Sequence, residues 1–188
     1  MDIIPLINLQ NGKIIEDFSE KIDEFKKIYV LDLDGIEKDK PNFDIYQKLC
    51  VSVDLWVDNG PRNLGDVLDT LMAGATDITI RKNLCPKLKI SDIRDVSENK
   101  IYANIDFKSL NNFNNDELFH DVDGLVNLVD KNKIELNPDY SKYLNKIKLG
   151  KKIYSYETSP KNLSFWKEFG AEGLLVDIGK FKEFKDGI

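Results

Sequence analysis

Eight side chains able to bind a ligand or move a proton recur at near-constant spacing along the 188-residue chain. They are Asn8, Asp32, Asp58, Arg81, Asp106, Asp130, Glu157 and Asp177, separated by 24, 26, 23, 25, 24, 27 and 20 residues. Six are carboxylates, whereas 33 acidic residues in 188 would put about 1.4 among eight positions. Carboxylates converging on one site repel each other, so some keep their proton while others lose it. Such a set performs general acid-base chemistry without histidine. The same oxygens could hold a divalent cation or a substrate amine. Taken singly, an acid between a strand and a helix more often caps the helix. The one histidine, His120, lies in the polar string Phe119-His120-Asp121-Val122-Asp123 and is read as structural.

What positions these residues is a repeated beat of apolar run, polar turn and helical segment. The runs are Ile3 to Leu9, Ile28 to Leu33, Val51 to Val57, Asp77 to Ile80, Ile101 to Ile105, Leu125 to Val129, Ile153 to Tyr156 and Leu174 to Val176. Near-continuous apolar strands alternating with helices predict an α/β fold with a covered parallel sheet. Eight beats predict a compact TIM (β/α)8 barrel, one domain over residues 1–188, although this class usually takes about 250 residues with roughly 200 as a floor. An open doubly wound parallel sheet is the alternative, and its GxGxxG fingerprint does not occur. Pro61 predicts a helix over 62–72 stopped by Gly74, and Thr158-Ser159-Pro160 opens another over 161–169 ended by Gly170. In a parallel barrel the site forms at the carboxyl ends of the strands, where the eight residues fall.

Charge narrows the partners. With 27 basic against 33 acidic residues and a net charge of -6, the chain has no electrostatic footprint for nucleic acid or an anionic membrane. Arginine is confined to Arg62, Arg81 and Arg94, so the bidentate phosphate fork is nearly absent. No apolar stretch reaches the roughly 18 residues of a spanning helix, and Met1-Asp2-Ile3-Ile4-Pro5 lacks a basic start, so a cytoplasmic protein is expected. Cys50 and Cys85 form no metal or redox motif and are read as buried thiols.

Several stretches carry a family resemblance. Ile3-Ile4-Pro5-Leu6-Ile7-Asn8-Leu9-Gln10-Asn11-Gly12-Lys13 resembles the first strand of the histidine-biosynthesis HisA/HisF barrel family. Tyr29-Val30-Leu31-Asp32-Leu33-Asp34-Gly35 resembles the second strand, and Asp58-Asn59-Gly60-Pro61-Arg62-Asn63-Leu64-Gly65-Asp66-Val67 the third-strand turn and helix. Asn104-Ile105-Asp106-Phe107-Lys108 is similar to the fifth strand, and Phe169-Gly170-Ala171-Glu172-Gly173-Leu174-Leu175-Val176-Asp177 to the run into the eighth. The likeness is greatest to the archaeal HisA/HisF-related proteins, whose role is unsettled.

The resemblance implies two aspartates, at the ends of strands one and five, acting as acid and base in an isomerisation or cyclisation. The fifth-strand partner is present as Asp106, but the first-strand position is Asn8, which exchanges no proton near neutral pH, so Asp32 or Asp177 would have to take that role. It also implies two phosphate sites at turns after strands three, four, seven and eight. Here those turns carry Asp58, Arg81-Lys82, Glu157 and Asp177. A carboxylate about 4 Å from a phosphate charge is repelled by about 1 to 4 kcal/mol, which argues against a bisphosphate. Arg81-Lys82 could hold one anion, or Arg81 could pair with Asp58 as charge compensation. The short stretch before Phe18-Ser19-Glu20 implies that a family lid is missing.

The expected function is a small-molecule isomerase or lyase. Asp106, Asp32 and Asn8 are its catalytic candidates, and Asp58, Arg81, Lys82, Asp130, Glu157 and Asp177 its substrate-binding candidates. No cofactor is expected, with a divalent cation among Asp32, Asp34, Asp58 and Asp130 as a variant. The alternative is a non-catalytic paralogue acting as a binding or scaffold subunit, in a homo- or hetero-oligomer with another barrel.

Overall fold

A computed structural model describes residues 1–16, 22–106, 121–147 and 150–187. His120, the Phe107-Lys108 end of the fifth-strand motif, the asparagine-rich stretch 111–115 and Phe18-Ser19-Glu20 lie outside the described residues.

Nine strands form one sheet: β1 (Asp2–Gln10), β2 (Lys13–Ile14), β3 (Lys27–Asp32), β4 (Asp54–Asp58), β5 (Ala75–Ile80), β6 (Lys100–Ile105), β7 (Gly124–Asn127), β8 (Ile153–Tyr156) and β9 (Gly173–Asp177). All neighbours except β2 pair in parallel, and β1 pairs with both β3 and β9, so eight strands close into a barrel. The eight apolar runs are its staves, and the open-sheet alternative is excluded by the β1–β9 seam from Asp2↔Gly173 to Leu6↔Asp177.

Strand β2 is a short antiparallel spur folded back on the end of β1, with Leu9 opposite Ile14 and Gln10 opposite Lys13. Its two-residue turn, Asn11 and Gly12, has positive φ at both positions (53° and 73°). Asparagine and glycine adopt this conformation at the lowest cost, and a turn of this hand matches the twist of the strands it joins.

Eight helices are described: α1 (Leu33–Lys38), α2 (Phe43–Leu49), α3 (Leu64–Met72), α4 (Ile90–Arg94), α5 (Lys131–Glu135), α6 (Pro138–Ile147), α7 (Leu163–Phe169) and α8 (Phe181–Asp186). The predicted 62–72 helix begins later than Pro61 implied. Asn63 is its N-cap, accepting from the Asp66 N–H at 3.1 Å, so the backbone turns helical only at Leu64. The 161–169 segment is a 3-10 turn followed by α7, closed by Gly170 at φ 84°.

Side-chain alternation along the strands makes two cores. Ile7, Leu9, Ile28, Val30, Leu55, Val57, Ile78, Ile101, Ala103, Ile105, Leu125, Ile153, Leu174 and Val176 face outward and pack with the helices. Facing inward are Ile4, Leu6, Tyr29, Trp56, Tyr102, Val126, Tyr154 and Leu175. Four aromatic rings thus plug the barrel: Trp56 lies 3.9 Å from Tyr102 between centroids, and 5.1 and 4.9 Å from Tyr29 and Tyr154 in edge-on contacts. The Trp56 indole N–H donates to Thr79 Oγ1 at 2.9 Å, so the plug leaves that buried donor satisfied. Cys85 is buried, whereas Cys50 is only half-buried at the end of α2. Among the described residues no helix is long and apolar enough to cross a membrane.

Candidate functional site

Alternation decides which strand-end residues share a mouth. On β1 the inward series Ile4, Leu6 continues to Asn8; on β4 Trp56 leads to Asp58; on β9 Leu175 leads to Asp177. On β5 Thr79 leads to Arg81, and on β6 Tyr102 and Asn104 lead to Asp106, one residue past each strand. Asn8, Asp58 and Asp177 therefore belong to one mouth, Arg81 joins them through its ion pair with Asp58, and the charge of Asp106 reaches Arg81 from the end of β6. Leu31, Leu128 and Tyr156, half-buried against the inner core, complete its wall.

Asp32 and Glu157 do not join them, whereas Asp130 keeps the inward parity of Val126 and Leu128 and its charge acts on the Tyr156 phenol. Asp32 falls on the outward parity and is saturated: it accepts from the backbone N–H of Gly35 (3.1 Å) and Asn42 (2.7 Å), from Asn42 Nδ2 (2.8 Å) and from the Tyr46 hydroxyl. It is the N-cap of α1. Asp130 caps α5 through the Lys133 N–H at 3.0 Å. Glu157, fully buried, accepts from the N–H groups of Thr158 (2.7 Å) and Ser159 (3.0 Å) and from Trp166 Nε1 (2.8 Å). Asp32 and Asp130 thus cap helices, while Glu157 ties the turn before α7 to Trp166. Lys82 is half-buried in the turn after β5, next to Arg81 but on the opposite parity.

Inside the mouth a buried ion pair dominates. Arg81 donates through Nε and Nη2 to the two oxygens of Asp58, both at 2.8 Å, with the Asp58 side chain fully buried. The Tyr29 hydroxyl also donates to Asp58 at 2.8 Å, and Arg81 Nη1 reaches Asn104 Oδ1 at 3.5 Å. Burial opposes the charge on Arg81, but the Asp58 carboxylate outweighs it and holds the guanidinium protonated above its ordinary range, with smaller pushes from Tyr29 and Asp106. Burial, then the Asp58 charge, raises the Tyr29 phenol well above its usual value. This is the charge-compensation arrangement, so Arg81 is already engaged where an anionic substrate would need it.

Across the mouth, the Tyr156 hydroxyl donates to Asp177 at 3.0 and 3.2 Å from its two oxygens, and burial followed by the Asp177 charge raises that phenol. Asp106 is half-buried at the end of β6. Its charge acts on Arg81 within the mouth and, after burial, on the phenols of Tyr140 and Tyr143 of α6. In the ring order β1-β3-β4-β5-β6-β7-β8-β9, strands β1 and β6 stand four apart, so Asn8 and Asp106 lie on opposite sides of the barrel.

Two carboxylates that strand-end spacing did not single out bind the hairpin. Glu16 accepts from the Asn8 backbone N–H at 2.8 Å and from Asn8 Nδ2. Asp34 accepts from the Gly12 N–H at 3.0 Å, from Lys38 at 2.8 Å and from Asn42 Nδ2 at 3.2 Å. The signal for both was the Asn11-Gly12 dipeptide: a two-residue turn there returns residues 15 and 16 to the side of residues 7 and 8. Among the described residues no group of three or more Asp, Glu, His or Cys is placed to hold a metal ion; Asp32 and Asp34 share the Asn42 amide as a donor, while Asp58 and Asp130 bond to other partners.

No protein-family model matches the chain, and no curated protein matches it.

Proposed function

We propose that the chain is a HisA/HisF-like isomerase or lyase built on a compressed TIM (β/α)8 barrel, with Asp106 as its acid-base group. The observation that supports this reading is the position of Asp106. It follows the inward-facing Tyr102 and Asn104 on a closed parallel barrel and its charge acts on Arg81, whereas Asp32 caps α1 and Glu157 is held by Thr158, Ser159 and Trp166. In the first step Asp106 takes a proton from the carbon beside a carbonyl or protonated imine, the C–H electrons become a new C=C bond, and the C=O or C=N π pair moves onto the oxygen or nitrogen, leaving an enolate or an enamine. Returning the proton to the neighbouring carbon completes an isomerisation; expelling a leaving group with those electrons completes an elimination.

The substrate is neutral or cationic. Asp58 neutralises Arg81, and Glu157 already occupies the Thr158 and Ser159 N–H groups that would otherwise face an anion.

Both reaction types begin by exchanging one carbon-bound proton with solvent, so the test is deuterium incorporation from heavy water, followed by proton NMR. The probes are ribose, ribosylamine and N-methyl ribosylamine with their 5-phosphates. Exchange is expected with the unphosphorylated amines in preference to the phosphates. Asp106→Asn should slow it by about 10²- to 10⁴-fold, the usual worth of a general acid-base group, with the melting temperature within a few degrees. An Asp106→Asn variant as fast as the parent overturns the assignment.

The saturation of so many acids also favours a second reading, a non-catalytic paralogue that pairs with another barrel. It predicts no exchange with any of these probes, no chemical effect of Asp106→Asn, and a barrel partner on gel filtration of the native protein.

A further inference from the structure

We infer that Glu16 and Asn8 work as one unit, in which the hairpin carboxylate fixes the Asn8 amide so that its oxygen faces the substrate opposite Asp106. This rests on the acid-base reading above and assigns Glu16 as a positioning residue.

A carboxylate only accepts hydrogen bonds, so the atom of the Asn8 amide facing Glu16 must be the Nδ2 donor. The second Glu16 oxygen takes the backbone N–H of the same residue, 2.8 Å away, so the carboxylate grips Asn8 at two points and the side chain cannot rotate without losing one of them. With Nδ2 committed, Oδ1 points away from Glu16. Among the described residues no donor reaches that oxygen, and Asn8 is half-buried on the inward parity of β1. The mouth thus presents, on the side opposite Asp106, a neutral acceptor of fixed direction. It fits an N–H or O–H of the substrate, as in the amine of a glycosylamine, and turns the reacting carbon toward Asp106. Holding a donor group this way is an orientation effect, so it acts on binding more than on the proton transfer itself.

The hairpin supplies the geometry. Ile15 N–H donates to the Asn8 carbonyl at 2.9 Å, which seats Glu16 beside Asn8, and Asp34 anchors the turn through the Gly12 N–H. The arrangement divides an acid's work between two chain positions: the amide on the strand touches the substrate, and the carboxylate on the hairpin fixes the amide.

The test reverses the polarity and then restores it, with ribosylamine as probe and deuterium exchange as readout. In Glu16→Gln the introduced oxygen keeps the residue-8 N–H, and the introduced NH₂ turns the Asn8 oxygen toward itself and the Asn8 NH₂ toward the mouth. KM should rise about tenfold, with kcat within about threefold, for one hydrogen bond reversed. In the double variant Asn8→Asp/Glu16→Gln the introduced amide donates to the new carboxylate, whose other oxygen faces the mouth again, and KM should return to within about threefold of the parent. Equal KM in Glu16→Gln and the parent overturns the inference, as does a double variant no better than the single one. Should Glu16→Gln fail to fold, the double variant decides alone: KM near the parent's supports the unit and a tenfold rise overturns it. A parent protein that exchanges none of the probes sinks the acid-base reading and this inference together, whereas exchange that depends on Asp106 but not on Glu16 sinks this inference only.

Discussion

Asp58 has no solvent exposure, and three donors converge on its carboxylate, two from Arg81 and one from Tyr29, all at 2.8 Å. A buried ion pair is weak evidence for stability in itself, since desolvating two charges costs about as much as their attraction returns. Its loss by halves is what costs. Arg81→Met leaves a carboxylate in the barrel mouth with only Tyr29 donating, and should lower stability by about 3–5 kcal/mol. Asp58→Asn leaves Arg81 unmatched and should cost a similar amount. The double variant buries no charge, so its loss should fall well short of the sum of the two, by roughly 2 kcal/mol or more. Urea unfolding of the four proteins measures this. Additive losses would mean that the two residues do not act on each other and that Arg81 remains available to an anion. The pairing was readable from sequence, because positions 58 and 81 end adjacent strands and both carry charge. The Tyr29 donor was not readable, since its hydroxyl reaches Asp58 only through the inward stacking of β3 and β4, where Tyr29 lies level with Trp56.

At the scale of elements, the acids divide by parity. A strand turns its side chains alternately in and out, so choosing whichever residue leaves each apolar run mixes the two faces of the barrel. Asp58 and Asp177 fall on the inward face; Asp32 and Glu157 fall on the outward one and close turns and helices instead. Counting back in twos from Trp56, Tyr29 or Tyr154 would have separated them. The hairpin shows the complementary case, where Asn11-Gly12 was legible as a turn but its tether was not. Asp34, the tether, has its carboxyl well below the usual carboxylate range, held there first by Lys38, then by the N–H groups of Gly12 and Asn11 and by Asn42. A value lower in the folded chain than in the unfolded one means the contribution is complete above the unfolded value, near pH 4, and fades as pH falls through the folded one. The Gly12 amide proton should therefore shift upfield only in strong acid, well below pH 4. In Asp34→Asn it should sit at the upfield position at every pH. A Gly12 resonance that titrates near pH 4, as an untethered aspartate would make it, contradicts the latch.

For the whole molecule the question is how a ring of eight strands is filled and closed within so short a chain. The eight apolar runs were legible because outward positions are aliphatic and inward ones aromatic or aliphatic, leaving little polar interruption from Ile3 to Leu9 or from Ile101 to Ile105. Closure was not legible, because nothing local to β1 or β9 states that they pair; it follows from how bulky inward residues are matched with small ones. Tyr102 pairs laterally with Gly124, and Tyr154 with Gly173. A Cβ at Gly173 would lie 2.9 Å from Tyr154 Cδ1 and 3.0 Å from the Asp2 carbonyl oxygen, and one at Gly124 would lie 3.0 Å from the Lys152 carbonyl and 3.2 Å from the Tyr102 ring. Neither glycine is needed for its backbone angles; each makes room for a ring that plugs the barrel. The seam is the more exposed of the two to a misfit, since Gly173 also pairs with Asp2 where β9 meets β1. Gly173→Ala should therefore cost about 1–3 kcal/mol by overpacking, despite removing a flexible residue from a strand, where alanine normally stabilises. Tyr154→Phe in that background should not recover the loss, because the ring edge that meets the Cβ is unchanged, whereas Tyr154→Leu should recover part of it by withdrawing the ring. Thermal unfolding of the three variants checks the account. A Gly173→Ala protein as stable as the parent, or one restored by Tyr154→Phe, would show that the barrel is not closed by the fit of these rings.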